Sequence, residues 1–224
     1  MVPSTLKFLR ALKKNNNKQW FDANRASYEK AKADFEEFVQ AVIDAHCKND
    51  SDLAGLPAKK CLFRINRDVR FSKDKSPYKL NFAASMDKGG KKSGLAGYYF
   101  HLEPGKSFLG GGLWQPVPET VKKVRQEIDY CYDEFRKIVT AKKFKSTFGD
   151  LYDEEGVKLF KVPQGFEKDN PAAEYLKFKS WMAITDISDS ELTAASIVKN
   201  TVKILDTVKP FIKFLNRGAE DKKE

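Results

Sequence analysis

Tyr98-Tyr99-Phe100-His101-Leu102-Glu103-Pro104-Gly105-Lys106-Ser107-Phe108-Leu109-Gly110-Gly111-Gly112-Leu113-Trp114 reads as two strands and the turn that joins them. In the first, Tyr98, Phe100 and Leu102 alternate with Tyr99, His101 and Glu103, the two-residue period of a sheet with one packed face and one polar face. Pro104-Gly105 marks the turn, and the second strand runs from Ser107 through Trp114. Its triple glycine removes side chains from one patch, which in a strand interior signals a bulge, a bend, or close approach by a ligand or a large neighbour. A structural reason is favoured.

Moving outward, Tyr78 to Met86 alternates again, with Tyr78, Leu80, Phe82, Ala84 and Met86 on one face and Lys79, Asn81, Ala83 and Ser85 on the other. The linker Asp87 to Gly94 reads as a flexible turn. It lacks the full spacing of a phosphate-binding P-loop. Before these strands, Leu62 to Ser72 reads as a further strand, placing Phe63, Ile65, Arg67, Val69 and Phe71 on the packed face and Arg64, Asn66, Asp68 and Arg70 on the polar one. Trp181 to Ile187 can add another strand.

Helices flank this region. One carries Leu6, Leu9 and Leu12; a long one after Asn17 carries Phe21, Tyr28, Ala31, Phe35, Phe38 and Val42 at helical spacing. Trp20 at its start suits either core or pocket, and His46 near its end suits a cation at a helix C-terminus. Pro118 opens an amphipathic helix through Ile138 with Cys131 on its apolar stripe, and Ser188 to Glu191 forms a capping box for a last helix that Pro210 kinks or splits. Pro171 can open a short helix through Phe178. The expected fold is therefore α+β: an antiparallel sheet of four or more strands in meander order, with helices packed mainly on one face. We expect one domain over residues 1–216 and a frayed tail over 217–224.

With 224 residues, 41% of them hydrophobic, the chain can bury a substantial core without disulfides. Three cysteines (Cys47, Cys61, Cys131) without a Cys-x-x-Cys spacing fit reduced thiols, and no stretch has the length and apolarity of a membrane span or a secretory signal. A cytoplasmic location is expected. A net charge of +10 favours anionic partners, although scattered lysines often form only a solvated face.

The positive charge concentrates in Arg64-Ile65-Asn66-Arg67-Asp68-Val69-Arg70-Phe71-Ser72-Lys73-Asp74-Lys75-Ser76-Pro77-Tyr78-Lys79. Guanidinium forks suit phosphate or carboxylate oxygens, and an interleaved Asp can orient them. The same pattern also describes a structural ion-pair network. This run resembles the hallmark of a family of unknown function, domain-of-unknown-function family 2461. The resemblance extends to Asn15-Asn16-Asn17-Lys18-Gln19-Trp20-Phe21, to Gly110 through Pro116, to Pro163-Gln164-Gly165-Phe166 and to Asp169-Asn170-Pro171, where the family often has His in place of Asn170. The resemblance implies one fold over nearly the whole chain and implies no activity.

Two distant histidines and no carboxylate cluster give no metal site, no cofactor is indicated, and no nucleophile elbow or activated cysteine is present. What remains is a candidate ligand set of Arg64, Arg70, Lys73, Lys75, Lys79, Asn81 and Tyr99, with His101 and Asp68 as acid/base candidates. The leading expectation is a protein that binds an anionic, phosphate-bearing small molecule, whether or not it catalyses a reaction. The alternatives are a nucleic-acid-binding module that stacks bases on Tyr78, Tyr99 and Trp20, and a structural or adaptor protein whose signature holds the fold.

Overall fold

Four strands, β1 (Phe82–Asp87), β2 (Gly97–Leu102), β3 (Ser107–Leu113) and β4 (Trp181–Ile187), form an antiparallel sheet in the order β1-β2-β3-β4 in a computed structural model that describes residues 1–220. Residues 221–224 lie outside the described residues, so the expectation for them is not addressed. The expected meander is present, but its fourth strand comes from Trp181–Ile187 instead of Leu62–Ser72. The alternation in β2 holds: Tyr98, Phe100 and Leu102 are buried, whereas Tyr99 and His101 are half-buried.

The helices are α1 (Pro3–Lys14), α2 (Lys18–Ala23), α3 (Arg25–His46), α4 (Ala58–Cys61), α5 (Pro118–Tyr130), α6 (Tyr132–Val139), α7 (Lys142–Phe148), α8 (Ala173–Leu176), α9 (Asp189–Thr193) and α10 (Ile197–Ala219). The apolar stripe of α3 packs on the sheet, with Phe38 edge-on to Phe100 at 4.9 Å and Phe35 stacked on Phe82 at 5.7 Å. Helix α10 covers β3. A Cβ on Gly111 would lie 2.6 Å from Ile212 Cδ1, and one on Gly110 or Gly112 would overlap the backbone of β4. Close backbone approach therefore explains the triple glycine. Cross-strand pairing aligns Ala83, His101, Phe108 and Asp186 in one row and Ser85, Tyr99, Gly110 and Ile184 in the next, on the face opposite α3 and α10.

Several elements depart from the sequence reading. Leu62–Ser72 is not a strand: it keeps only isolated bridges, Leu62 to Ala84 and Asn66 to Tyr78. Its charged side chains make their own turn contacts, and Phe71 is 95% exposed. The helix from Pro118 breaks at Cys131, whose ψ of 36° leaves the helical region, so that thiol is half-buried instead of sealed in a stripe. The capping box at Ser188 and Glu191 forms as expected, but its helix ends at Thr193 and α10 restarts at Ile197, then runs unbroken through Pro210. Val208, Phe211 and Ile212 hold that stretch against the core and offset the missing N–H of Pro210. Arg217, placed in the expected tail, lies in α10 and pairs with Glu127 and Glu134.

His46 is not a surface cation. It is fully buried, edge-on to Tyr98 at 4.7 Å, and burial depresses its pKa, so the ring is favoured as neutral. Trp20 joins the core edge, stacked on Phe8 at 6.1 Å.

Candidate functional site

The polar run between Arg64 and Lys79 builds a loop around one arginine. Arg67 donates to the Asp74 carboxylate, to Ser76 O at 3.2 Å and to Ser72 Oγ at 3.3 Å. Hydrogen bonds from Ser76, with Arg67 beside them, hold the Asp74 carboxyl down to about 2. Arg70 folds back onto Asp68 through Nε at 3.0 Å and Nη2 at 2.7 Å, and Lys75 Nζ donates to Val69 O at 3.0 Å. The Arg70 guanidinium keeps the Asp68 carboxyl below its ordinary range, the wrong direction for a general base at neutral pH. Lys73 is exposed on the same loop. Four of the sequence candidates, Asp68, Arg70, Lys73 and Lys75, thus sit on this loop, where three of the four are held by contacts within the loop itself.

The segment is tied to β1 at Phe63, and its two arms are tied to each other. Phe63 N–H donates to Ala83 O at 3.0 Å, Arg67 N–H to Pro77 O at 2.9 Å, and Lys79 N–H to Ile65 O at 2.7 Å. Asn16 clamps Tyr78, donating to its carbonyl at 2.9 Å and accepting from its N–H at 3.2 Å, while Phe21 stacks on the Tyr78 ring at 3.9 Å. Two motifs distant in sequence, Asn15 to Phe21 and Arg64 to Lys79, therefore meet in one place.

This anchoring gathers Arg64, Lys79 and Lys91 around Phe63. The Lys79 and Lys91 ammonium groups lie 5.4 and 5.6 Å from the Phe63 ring centroid. Among the described residues none of the three cations pairs with a carboxylate; Lys91 Nζ donates to the backbone oxygen of Leu62. Burial, then Arg64 and Lys91, push the Lys79 pKa below its ordinary value. Beside them is a groove of about 280 Å³ whose lining includes Phe63, Tyr28, Arg64, Lys91, Lys59 and Lys32 together with one carboxylate, Glu36.

Phe63 also links this corner to the polar sheet face, edge-on to Tyr99 at 6.3 Å. There His101 stacks on Phe108 at 4.6 Å, with Nδ1 3.3 Å from Tyr99 Oη and 3.5 Å from Asn81 Nδ2, and Nε2 3.4 Å from Glu103 Oε2. Two donors at Nδ1 and a carboxylate at Nε2 favour the neutral tautomer with its proton on Nε2. Burial depresses the His101 pKa, partly opposed by Glu103. Both ring nitrogens are engaged, which fits a satisfied sheet-face histidine better than a free base.

Of the sequence candidates, the fold brings Arg64 and Lys79 together and sets Asn81, Tyr99 and His101 beside them. Two members of the corner were missed. Lys91 falls in a stretch that reads as flexible turn, and Phe63, 39% exposed, was assigned to a packed face by a strand period that does not hold. The cation-rich composition around both was the available signal. Among the described residues no group of three or more His, Cys, Asp and Glu could hold a metal ion, and no helix is long and apolar enough to cross a membrane.

A family model described as "Conserved hypothetical protein (DUF2461)" matches residues 4–214, and the chain belongs to that family. No curated protein and no solved structure matches it.

Proposed function

We propose that this family member binds a phosphate-bearing or otherwise anionic small molecule at the corner formed by Arg64, Lys79 and Lys91, with Phe63 and Tyr99 as its apolar side. One observation carries the reading: Arg64 and Lys91 repel Lys79, none of the three forms an ion pair with a carboxylate among the described residues although Glu36 lines the adjoining groove, and Lys79 is buried enough to lose basicity. Like charges held together without a counter-ion cost free energy that a bound anion recovers. Arg70, Lys73 and Lys75 rim the site from the loop. No reaction is assigned, because His101 and Asp68 are both engaged by protein partners.

The test is calorimetric titration with inorganic phosphate, pyrophosphate and adenosine monophosphate. Arg64→Gln and Lys79→Met should each weaken binding about tenfold or more, the usual effect of losing one charge-assisted hydrogen bond, whereas Arg70→Gln should change it little. Failure of all three anions to bind, or unchanged affinity in both of the first two variants, rejects the reading.

A second reading, single-stranded nucleic acid, draws on Phe71, which is 95% exposed with the Arg70 guanidinium 5.8 Å from its ring centroid. An exposed aromatic paired with arginine is a base-stacking platform.

A further inference from the structure

Trp114 to Pro116, which follow β3, line no part of the groove at the Phe63 corner and lead instead into a second, larger groove. After β3, Gln115 adopts φ +46°, the left-handed region, and among the described residues it is the only non-glycine that does so. Such a conformation is disfavoured for a side-chain-bearing residue and persists where its surroundings enforce it. Here Ser180, 4% exposed, accepts the Gln115 N–H at 2.9 Å. The turn ends the β3 course and leaves Trp114 52% exposed, edge-on to Tyr152 at 6.2 Å. A large aromatic is thus held in solvent by a strained turn.

The groove beside it has a volume of about 640 Å³, within the range of small-molecule sites. Trp114, Pro116, Val121, Val157 and Leu159 supply apolar walls. Its charged lining residues are Arg125, Lys179 and Glu155, a net single positive charge. Arg125 Nη2 donates to Phe178 O at 2.9 Å, but its Nε is buried without a hydrogen-bond partner and no carboxylate pairs with it among the described residues. Burial also lowers the Arg125 pKa. A buried guanidinium donor left unpaired is costly, so a native structure that retains one calls for a partner.

We propose that this groove is a second ligand site, taking an aromatic monocarboxylate whose ring packs on Trp114 and whose carboxylate pairs with Arg125. A planar carboxylate matches the guanidinium fork, an aromatic body matches the indole and proline walls, and the net single charge suits a monoanion better than a polyphosphate. The site is separate in residues and in ligand chemistry from the corner around Phe63.

The probe is 3-phenylpropionate, with the neutral 3-phenylpropanamide and inorganic phosphate as comparisons, followed through the three tryptophan indole N–H resonances of the intact protein. The Trp114 signal, assigned by its absence in Trp114→Phe, should shift saturably with 3-phenylpropionate. The amide should bind about tenfold or more weakly, and phosphate should leave that signal in place. Arg125→Gln should lose the same factor. Trp114→Ala, at an exposed position where folding is preserved, should weaken 3-phenylpropionate binding measured by calorimetry and leave phosphate binding at the other site unchanged. Equal affinity for acid and amide, absence of a saturable Trp114 shift, or full acid affinity in Trp114→Ala overturns the proposal whether or not Arg125→Gln folds.

Discussion

Asp87 carries chemistry that its local sequence does not announce. It ends β1 at 6% exposure, its carboxylate occupies the space that a Gly97 side chain would fill, and Ser85 Oγ donates to it at 2.7 Å. Burial without a paired cation pushes its pKa up to about 6. A carboxyl raised above its unfolded value contributes full stability below that value, near 3.8, and loses it as pH rises through about 6. The cost of ionising it in the fold is at most roughly 3 kcal/mol, about two units at 1.36 kcal/mol each. Asp87→Asn should therefore match the parent near pH 4 and exceed it by up to that amount at pH 7.5, measured by denaturant unfolding across pH. His46 and His101 act in the opposite sense, since their depressed pKa values remove stability as pH falls below about 6.5. The difference between the two proteins cancels that contribution, so a difference independent of pH would show that Asp87 is not buried as described. Sequence reading passed over this residue because Asp87-Lys88-Gly89-Gly90 has the composition of a solvent turn, and only the cross-strand neighbour Gly97 makes room for the carboxylate.

At the scale of elements, what was legible was what periodicity controls. The alternation in Tyr98 to Leu102, the apolar stripe of α3 and the strand at Trp181 appear where their patterns place them, because each buries one face against the same core, although the long helix expected from Asn17 divides at Asn24 into α2 and α3; the capping box at Ser188 forms through local hydrogen bonds. Periodicity failed between Leu62 and Ser72, where Val69 and Phe71 mimic a strand but hydrogen bonds donated by the Arg67 side chain compete with the ladder. It also failed at Cys131, where an unbroken apolar spacing hides a break between two helices. The loop itself separates two roles that look identical in sequence. Arg67 has a side chain only 25% exposed and hydrogen-bonds to three loop groups, whereas Arg70 is 76% exposed and its side chain hydrogen-bonds to Asp68 and lies over the exposed Phe71 ring. Arg67→Gln should lower the melting midpoint by about 2–6 °C, the equivalent of one or two net hydrogen bonds in a chain of this size. Arg70→Gln should leave it within about 1 °C, because exposed pairs contribute little. Equal shifts in both variants would mean that the loop is not organised around Arg67.

Across the whole molecule the +10 charge is not one basic surface. Many cations are locally matched: Lys145 with Asp150, Lys158 with Asp153, Lys177 with Glu174, Lys213 with Asp50 and Asp52, and Arg217 with Glu127 and Glu134. The concentrated excess is the corner of Arg64, Lys79 and Lys91, and its size sets what a polyanion could gain. Each phosphate neutralised on a single strand contributes about −0.7 to the slope of log affinity against log salt, so three cations give a slope of about −2. A fluorescently labelled single-stranded oligonucleotide should accordingly bind weakly at low salt with that shallow slope, and Arg64→Gln should reduce it by about one cation's share. A slope of −6 or steeper would require a footprint far beyond the corner and would favour the nucleic-acid reading over the small anion. No binding at low salt would remove nucleic acid altogether while leaving the phosphate titrations to stand by themselves. The matched pairs elsewhere favour the shallow slope, since a cation already neutralised by its own chain has few counterions to release.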